Sequence, residues 1–175
     1  MIGEESLLAP PEFEGAFDPH VWMDVSLWRR VSTAVADALI AMDPTHAETY
    51  LANAEAYQAG LTDLDAWVRE QTATVPDGQR VLVTAHDAFN YFGQAYDFEV
   101  RGLQGLSTAT EAGTADVRDL AAFLQAVRAR GFEVEIGGNL FSDALGDPGS
   151  PEGTYEGMIR HNVSTIVSAL RADGS

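Results

Sequence analysis

The sequence has no cysteine. That removes disulfides, thiolate metal sites and cysteine nucleophiles together. Basic residues are scarce, 10 against 27 acidic ones, for a net charge of -17. Such a balance argues against nucleic acid and anionic membrane surfaces as partners, because both need a basic patch. It suits a cation partner, and it equally suits an acidic surface that serves solubility or salt adaptation. No run of 18 apolar residues exists, so no transmembrane helix is expected. The acidic start, Met1 to Pro11, lacks the basic and apolar regions of a signal peptide, which implies a cytoplasmic protein or one whose leader has been removed. Gly-x-Ser-x-Gly, Walker and Gly-x-Gly-x-x-Gly patterns are also missing.

What is present is an ordinary apolar fraction, 46% of 175 residues, enough for one domain or slightly more. The organising stretch runs from Arg80 to Phe92. Val81, Leu82 and Val83 form a continuous apolar run, as in a strand covered on both faces. Phe89, Phe92 and Tyr96 then recur at helical spacing. His86 therefore sits where a parallel strand ends and its crossover helix begins, the crevice where open α/β sheets bind ligands. By position alone, a helix-capping or satisfied loop histidine is an equal reading.

Around that stretch, the chain alternates in type. Residues 1–17 are rich in Pro, Glu and Gly and read as irregular. Asp24 can cap a helix whose stripe is Leu27, Val31, Val35 and Leu39, stopped by Asp43-Pro44. A longer helix, from about Thr45 to Thr74, carries a narrow seam of Tyr50, Ala54, Tyr57, Leu61, Leu64 and Val68. At ~1.5 Å per residue it reaches on the order of 40 Å, long enough to join two lobes, though a bundle helix would read the same. After the His86 helix come a short strand at Phe98 to Arg101, a Thr108/Glu111 capping box, and a helix from Thr114 to about Arg130. A strand follows from Phe132 to Ile136, then a loop from Asn139 to Pro151. A last amphipathic helix runs from about Glu152 to Leu170, with Met158, Val163, Ile166, Val167 and Leu170 inward. The pattern predicts an α/β fold with a small, mainly parallel sheet flanked by helices.

The metal-capable residues outside helix surfaces are His20, His86 and Asp143, each in a loop at the end of a strand or extended segment. Two imidazoles and a carboxylate suit a borderline divalent ion such as Zn²⁺. Their wide spacing matches no local zinc motif. His46 reads as solvated and His161 as a hydrogen-bonded structural histidine. Trp22, Trp28 and Trp67 read as packing residues. Ser107 and Ser142 have no nearby base in sequence, so nothing supports a nucleophile role.

Five motifs occur in a fixed order: Asp18-Pro19-His20-Val21-Trp22; Val83-Thr84-Ala85-His86-Asp87-Ala88-Phe89 with Tyr91-Phe92; Gly105-Leu106-Ser107-Thr108; Gly137 to Gly146 through Ser142-Asp143; and Gly153-Thr154-Tyr155-x-Gly157-Met158-Ile159-x-His161-Asn162. Together they resemble the solute-binding subunit of zinc/manganese ABC importers, the TroA-like periplasmic metal-binding family, over about residues 15–171. The resemblance implies two α/β lobes joined by one long rigid helix, with the metal between them. It implies His20 as the family's second ligand, His86 as the third and Asp143 as the fourth. A histidine at the third position resembles zinc-type and mixed zinc/manganese members, whereas manganese-selective members tend to carry glutamate. It also implies an ABC permease in the membrane as partner and a periplasmic or extracytoplasmic location.

Two departures shape the expectation. The family has a whole lobe, with its first ligand histidine, before the position of Asp18, where this chain has 17 residues and no histidine. A strand and helix expected near Ala122-Phe123 and Val127-Arg128 also have no counterpart. The chain thus resembles a truncated member: a remnant of the N-terminal lobe at 1–43, a linking helix at 44–75 and a C-terminal α/β lobe at 76–175. The face left by the missing lobe is a candidate for self-association. The leading reading is a non-enzymatic protein that binds Zn²⁺, or alternatively Mn²⁺, with water or another chain completing the shell. The alternative is a truncated or designed fragment that folds but binds metal weakly or not at all. A zinc hydrolase would need a general base, for which only Asp87 and Asp147 are available. A His86–Asp143 separation of roughly 3–4 Å would suit a shared metal with ~2 Å bonds; one beyond ~8 Å would exclude it.

Overall fold

The computed structural model describes residues 3–102, residue 125 and residues 137–172. The expected helix from Thr114, the strand at Phe132 to Ile136, the Gly105 motif and Ser107 lie outside the described residues. The chain enters through two 3-10 turns, Glu4–Ser6 and Pro11–Phe13, and a third, Val21–Met23, follows His20. Asp24 then caps helix α1, Val25–Met42, accepting from the backbone N–H of Ser26 and Leu27. This is the N-cap chemistry its position predicts.

Helix α1 is buried at Val25, Leu27 and Ala36. Its predicted apolar stripe does not continue: Val35 is 54% exposed and Leu39 40%. The 3.6-residue period marks one face of the helix, but among the described residues little covers that face beyond its first turns. Pro44–His46 forms a 3-10 turn, and helix α2, Ala47–Thr72, runs for 26 residues. Its seam divides in the same way. Leu61, Leu64, Val68 and Thr72 are buried, while Tyr57 is 43% exposed.

Strand β1, Val81–Thr84, pairs in parallel with β2, Glu99–Gly102, in the register Val81 to Glu99 through Thr84 to Gly102. Leu82 and Thr84 are buried, but Val81 and Val83 are only half-buried, so β1 is not covered on both faces as its apolar run predicts. Helix α3, Asn90–Tyr96, crosses between the strands. Helix α4, Tyr155–Ala172, follows a 3-10 turn at Pro151–Gly153 and packs against α2. One cluster of buried side chains joins all these parts. Met23 and Val25 meet Leu61, Leu64 and Val68 of α2, Tyr91 and Phe92 of α3, and Met158, Val163 and Ile166 of α4. No helix among the described residues is long and apolar enough to cross a membrane.

Candidate metal centre

Three loops converge at one end of this core. His20 lies between the extended Asp18-Pro19 segment and the Val21–Met23 turn. His86 lies in the loop after β1, four residues before α3 begins at Asn90, so it caps no helix. The Thr84 hydroxyl donates to the His86 carbonyl at 2.8 Å and tightens that loop. Asp143 lies in the segment before the Pro151–Gly153 turn, and the Ser142 hydroxyl donates to its Oδ2 at 2.8 Å.

His20, His86 and Asp143 each offer one ligand atom, and these atoms all lie within 4.8 Å of one another. Asp143 Oδ1 is 3.3 Å from His20 Nε2, and its Oδ2 is 3.0 Å from His86 Nε2. The two imidazoles meet edge to face at 5.0 Å. Two nitrogens and an oxygen with ~2 Å bonds to one ion stand roughly 3–4 Å apart, so the donor set fits a divalent cation. His20 and His46 differ in setting: His20 is 4% exposed, whereas the His46 ring is exposed and bonded to Asp43.

The second layer explains why His20 aims its Nε2 at the centre. Its Nδ1 lies 2.6 Å from Asp18 Oδ1, and its backbone N–H donates to the same oxygen at 2.9 Å. The Asn90 amide donates to Asp18 Oδ2 at 3.0 Å. Burial raises the Asp18 carboxyl, but the His20 and Asn90 hydrogen bonds outweigh it and hold its pKa below the ordinary carboxylate value. An ionised carboxylate only accepts, so Nδ1 carries a proton and Nε2 is the ring atom left to face Asp143. It lies 3.3 Å from Asp143 Oδ1, a contact that a cation between the two atoms, a proton or a metal, makes favourable.

Trp22 ties the His20 and Asp143 loops together. Its indole N–H donates to the Ser142 carbonyl at 2.8 Å, its ring meets the His20 ring edge-on at 5.2 Å, and its carbonyl accepts from the Tyr155 hydroxyl at 2.8 Å. Trp28 and Trp67 do pack as expected, Trp28 stacked on Tyr155 and Trp67 under the Arg160 guanidinium. His161 is hydrogen-bonded, its Nε2 lying 3.0 Å from the Asn139 carbonyl. The sequence reading gives Asp18 and Asn162 no role at the site and takes Trp22 only as a packing residue. Asp18 and Trp22 flank His20 inside the same five-residue motif, and that adjacency is the available signal.

Comparison with known proteins identifies the family. The family model described as ZnuA, zinc-uptake complex component A periplasmic, matches residues 3–131. The zinc-binding protein TroA of Treponema pallidum is 48% identical over 180 residues, covering 90% of this chain and 58% of the relative. The manganese-binding lipoprotein MntA of Bacillus subtilis is 42% identical over 185 residues, covering 92% of this chain and 60% of the relative. The solved structure of the periplasmic zinc-binding protein TroA from Treponema pallidum superposes with a TM-score of 0.83 at 44% identity. It covers 97% of this chain and 69% of that one. The chain thus spans about 60% of the length of the curated relatives it matches. With most of its length matched by that model and its fold shared with TroA, the chain belongs to the ZnuA/TroA family of metal-binding solute-binding proteins.

Proposed function

We propose that this chain captures a divalent cation through His20, His86 and Asp143, taking Zn²⁺ in preference to Mn²⁺, for delivery to an ABC permease. The observation that carries this reading is the convergence of three donor atoms within 4.8 Å from three separate loops. Two imidazoles favour Zn²⁺ over Mn²⁺, because the borderline nitrogen donor suits the softer and later ion. Relatives named for zinc and for manganese support the class of cargo. The net charge of -17 raises the local concentration of cations near the chain. Water or a group from another chain completes the coordination shell. Relatives described as periplasmic or as lipoproteins support a location outside the cytoplasm. We read residues 44–75 as the link between a first part at 1–43 and a lobe at 76–175.

Isothermal titration of metal-free protein tests the reading. Zn²⁺ binds with 1:1 stoichiometry and Mn²⁺ binds more weakly. His86→Ala weakens Zn²⁺ by more than about 100-fold, since losing a ligand costs more than the 10–100-fold typical of losing an outer-shell partner. Parental affinity in His86→Ala would show that the site is elsewhere.

A further inference from the structure

The capture reading leaves the Tyr155-to-Asn162 motif of α4 without a role. Asn162 is 2% exposed, and Met158, Ile159, Val163 and Ile166 of the same helix are buried with it. An amide in such surroundings costs free energy unless its hydrogen bonds are made, and a leucine would pack there without that requirement. The amide makes its two short bonds to one residue, with only a long contact from Nδ2 to Met158 Sδ, at 3.8 Å, beside them. Its Oδ1 accepts from the Phe141 N–H at 2.9 Å, and its Nδ2 donates to the Phe141 carbonyl at 2.8 Å. This is the pairing that a neighbouring strand would provide, applied here to a loop: residues 137–150 contain no helix or strand. Phe141 lies two residues before Asp143. His161 supports the same loop from the next position, with its ring 5.1 Å from that of Phe141 and its Nε2 against the Asn139 carbonyl. The Ser142 carbonyl is held from the other side by Trp22. The backbone is therefore fixed at both residues leading into Asp143, while the Asp143 side chain keeps 29% exposure.

We propose that Asn162 is a positioning residue for the cation site, holding the Phe141 backbone so that the Asp143 carboxylate meets His20 and His86. This inference rests on the capture reading above. It assigns to α4 the pre-organisation of a ligand that the loop itself cannot fix.

The test is the Zn²⁺ affinity of the whole chain, measured by competition with a chromophoric chelator at one pH. Four forms are compared: the parent, Asn162→Ala, Asp143→Ala and the double variant. Asn162→Ala weakens Zn²⁺ binding by about 10–100-fold, the usual cost of losing an outer-shell partner. In the Asp143→Ala background the same change has no further effect on affinity, because the group it positions is gone. A merely structural amide would instead lower affinity equally in both backgrounds, and that result overturns the proposal. Affinity within about twofold of the parent in Asn162→Ala also overturns it, well below the expected loss. If Asn162→Ala does not fold, Asn162→Asp serves, since a carboxylate cannot donate to the Phe141 carbonyl and the same loss is expected. Parental affinity in Asp143→Ala sinks the capture site and this inference together. A weakened Asp143→Ala beside a fully active Asn162→Ala sinks this inference alone.

Discussion

Asp18 does more for the site than its place outside the ligand set implies. It is 1% exposed and binds three donors, two from His20 and one from Asn90. Replacing it by alanine leaves the buried His20 N–H and the part-buried Asn90 amide without this acceptor. Each such orphan costs about 1–3 kcal/mol. The ring also loses the partner that fixes its tautomer, which costs a metal site about 10–100-fold in affinity. Asp18→Ala is therefore expected to fail twice, in urea denaturation of the metal-free chain and in Zn²⁺ titration. An Asp18→Ala chain with parental affinity would show that the carboxylate only supports the fold. The motifs made the three converging residues legible, because His20, His86 and Asp143 sit inside ordered sequence signatures. Asp18, Trp22 and Asn162 lie in the same signatures, but a signature does not record what these residues hold. Their partners are Asn90, Ser142 and Phe141, and no periodicity records a hydrogen bond between such distant segments.

Two helical glycines separate what local propensity decides from what packing decides. Gly60 lies in the exposed middle of α2, and a Cβ there would meet open space. Gly157 lies in the first turns of α4, where a Cβ would run into the Pro151 carbonyl. Gly60→Ala should raise stability by about 0.5–1 kcal/mol, because alanine loses less backbone entropy in a helix. Gly157→Ala should lower it, because α4 must move off the turn that leads from the Asp143 loop. The midpoints of urea unfolding would therefore shift in opposite directions at unchanged slope. Two shifts of the same sign would contradict the close approach at Gly157. Helix spacing gave α1, α2 and α4 within a few residues of their observed ends. It could not tell which part of each stripe is covered. Val35, Leu39 and Met42, the last 83% exposed, continue the apolar pattern of α1 past the point where α2 and the core bury it.

The described residues are held by one buried cluster, yet the three proposed ligands hang on three loops that join it at different points of the sequence. A cation bound by all three would cross-link the segment before α1, the loop after β1 and the loop before α4. The unfolded chain brings these segments together only at a large entropic cost, so the ion binds the folded form almost alone. Linkage then sets the size of the effect. At a free Zn²⁺ concentration of 100 times Kd, stabilisation is about 2.7 kcal/mol. For a chain of this size, 1 kcal/mol moves Tm by about 2–4 °C, so Zn²⁺ should raise Tm by about 5–11 °C. Mn²⁺ at the same concentration should raise it less, in proportion to the logarithm of its weaker affinity. His86→Ala should lose most of the Zn²⁺ shift while its metal-free Tm stays near that of the parent, because the ring is a third exposed and lies at the loop's edge. Differential scanning calorimetry of the two proteins, each with and without metal, reads all four quantities. A Zn²⁺ shift of equal size in both would place the ion on another part of this acidic chain, and no shift in the parent would mean that the convergence of the three loops holds no cation.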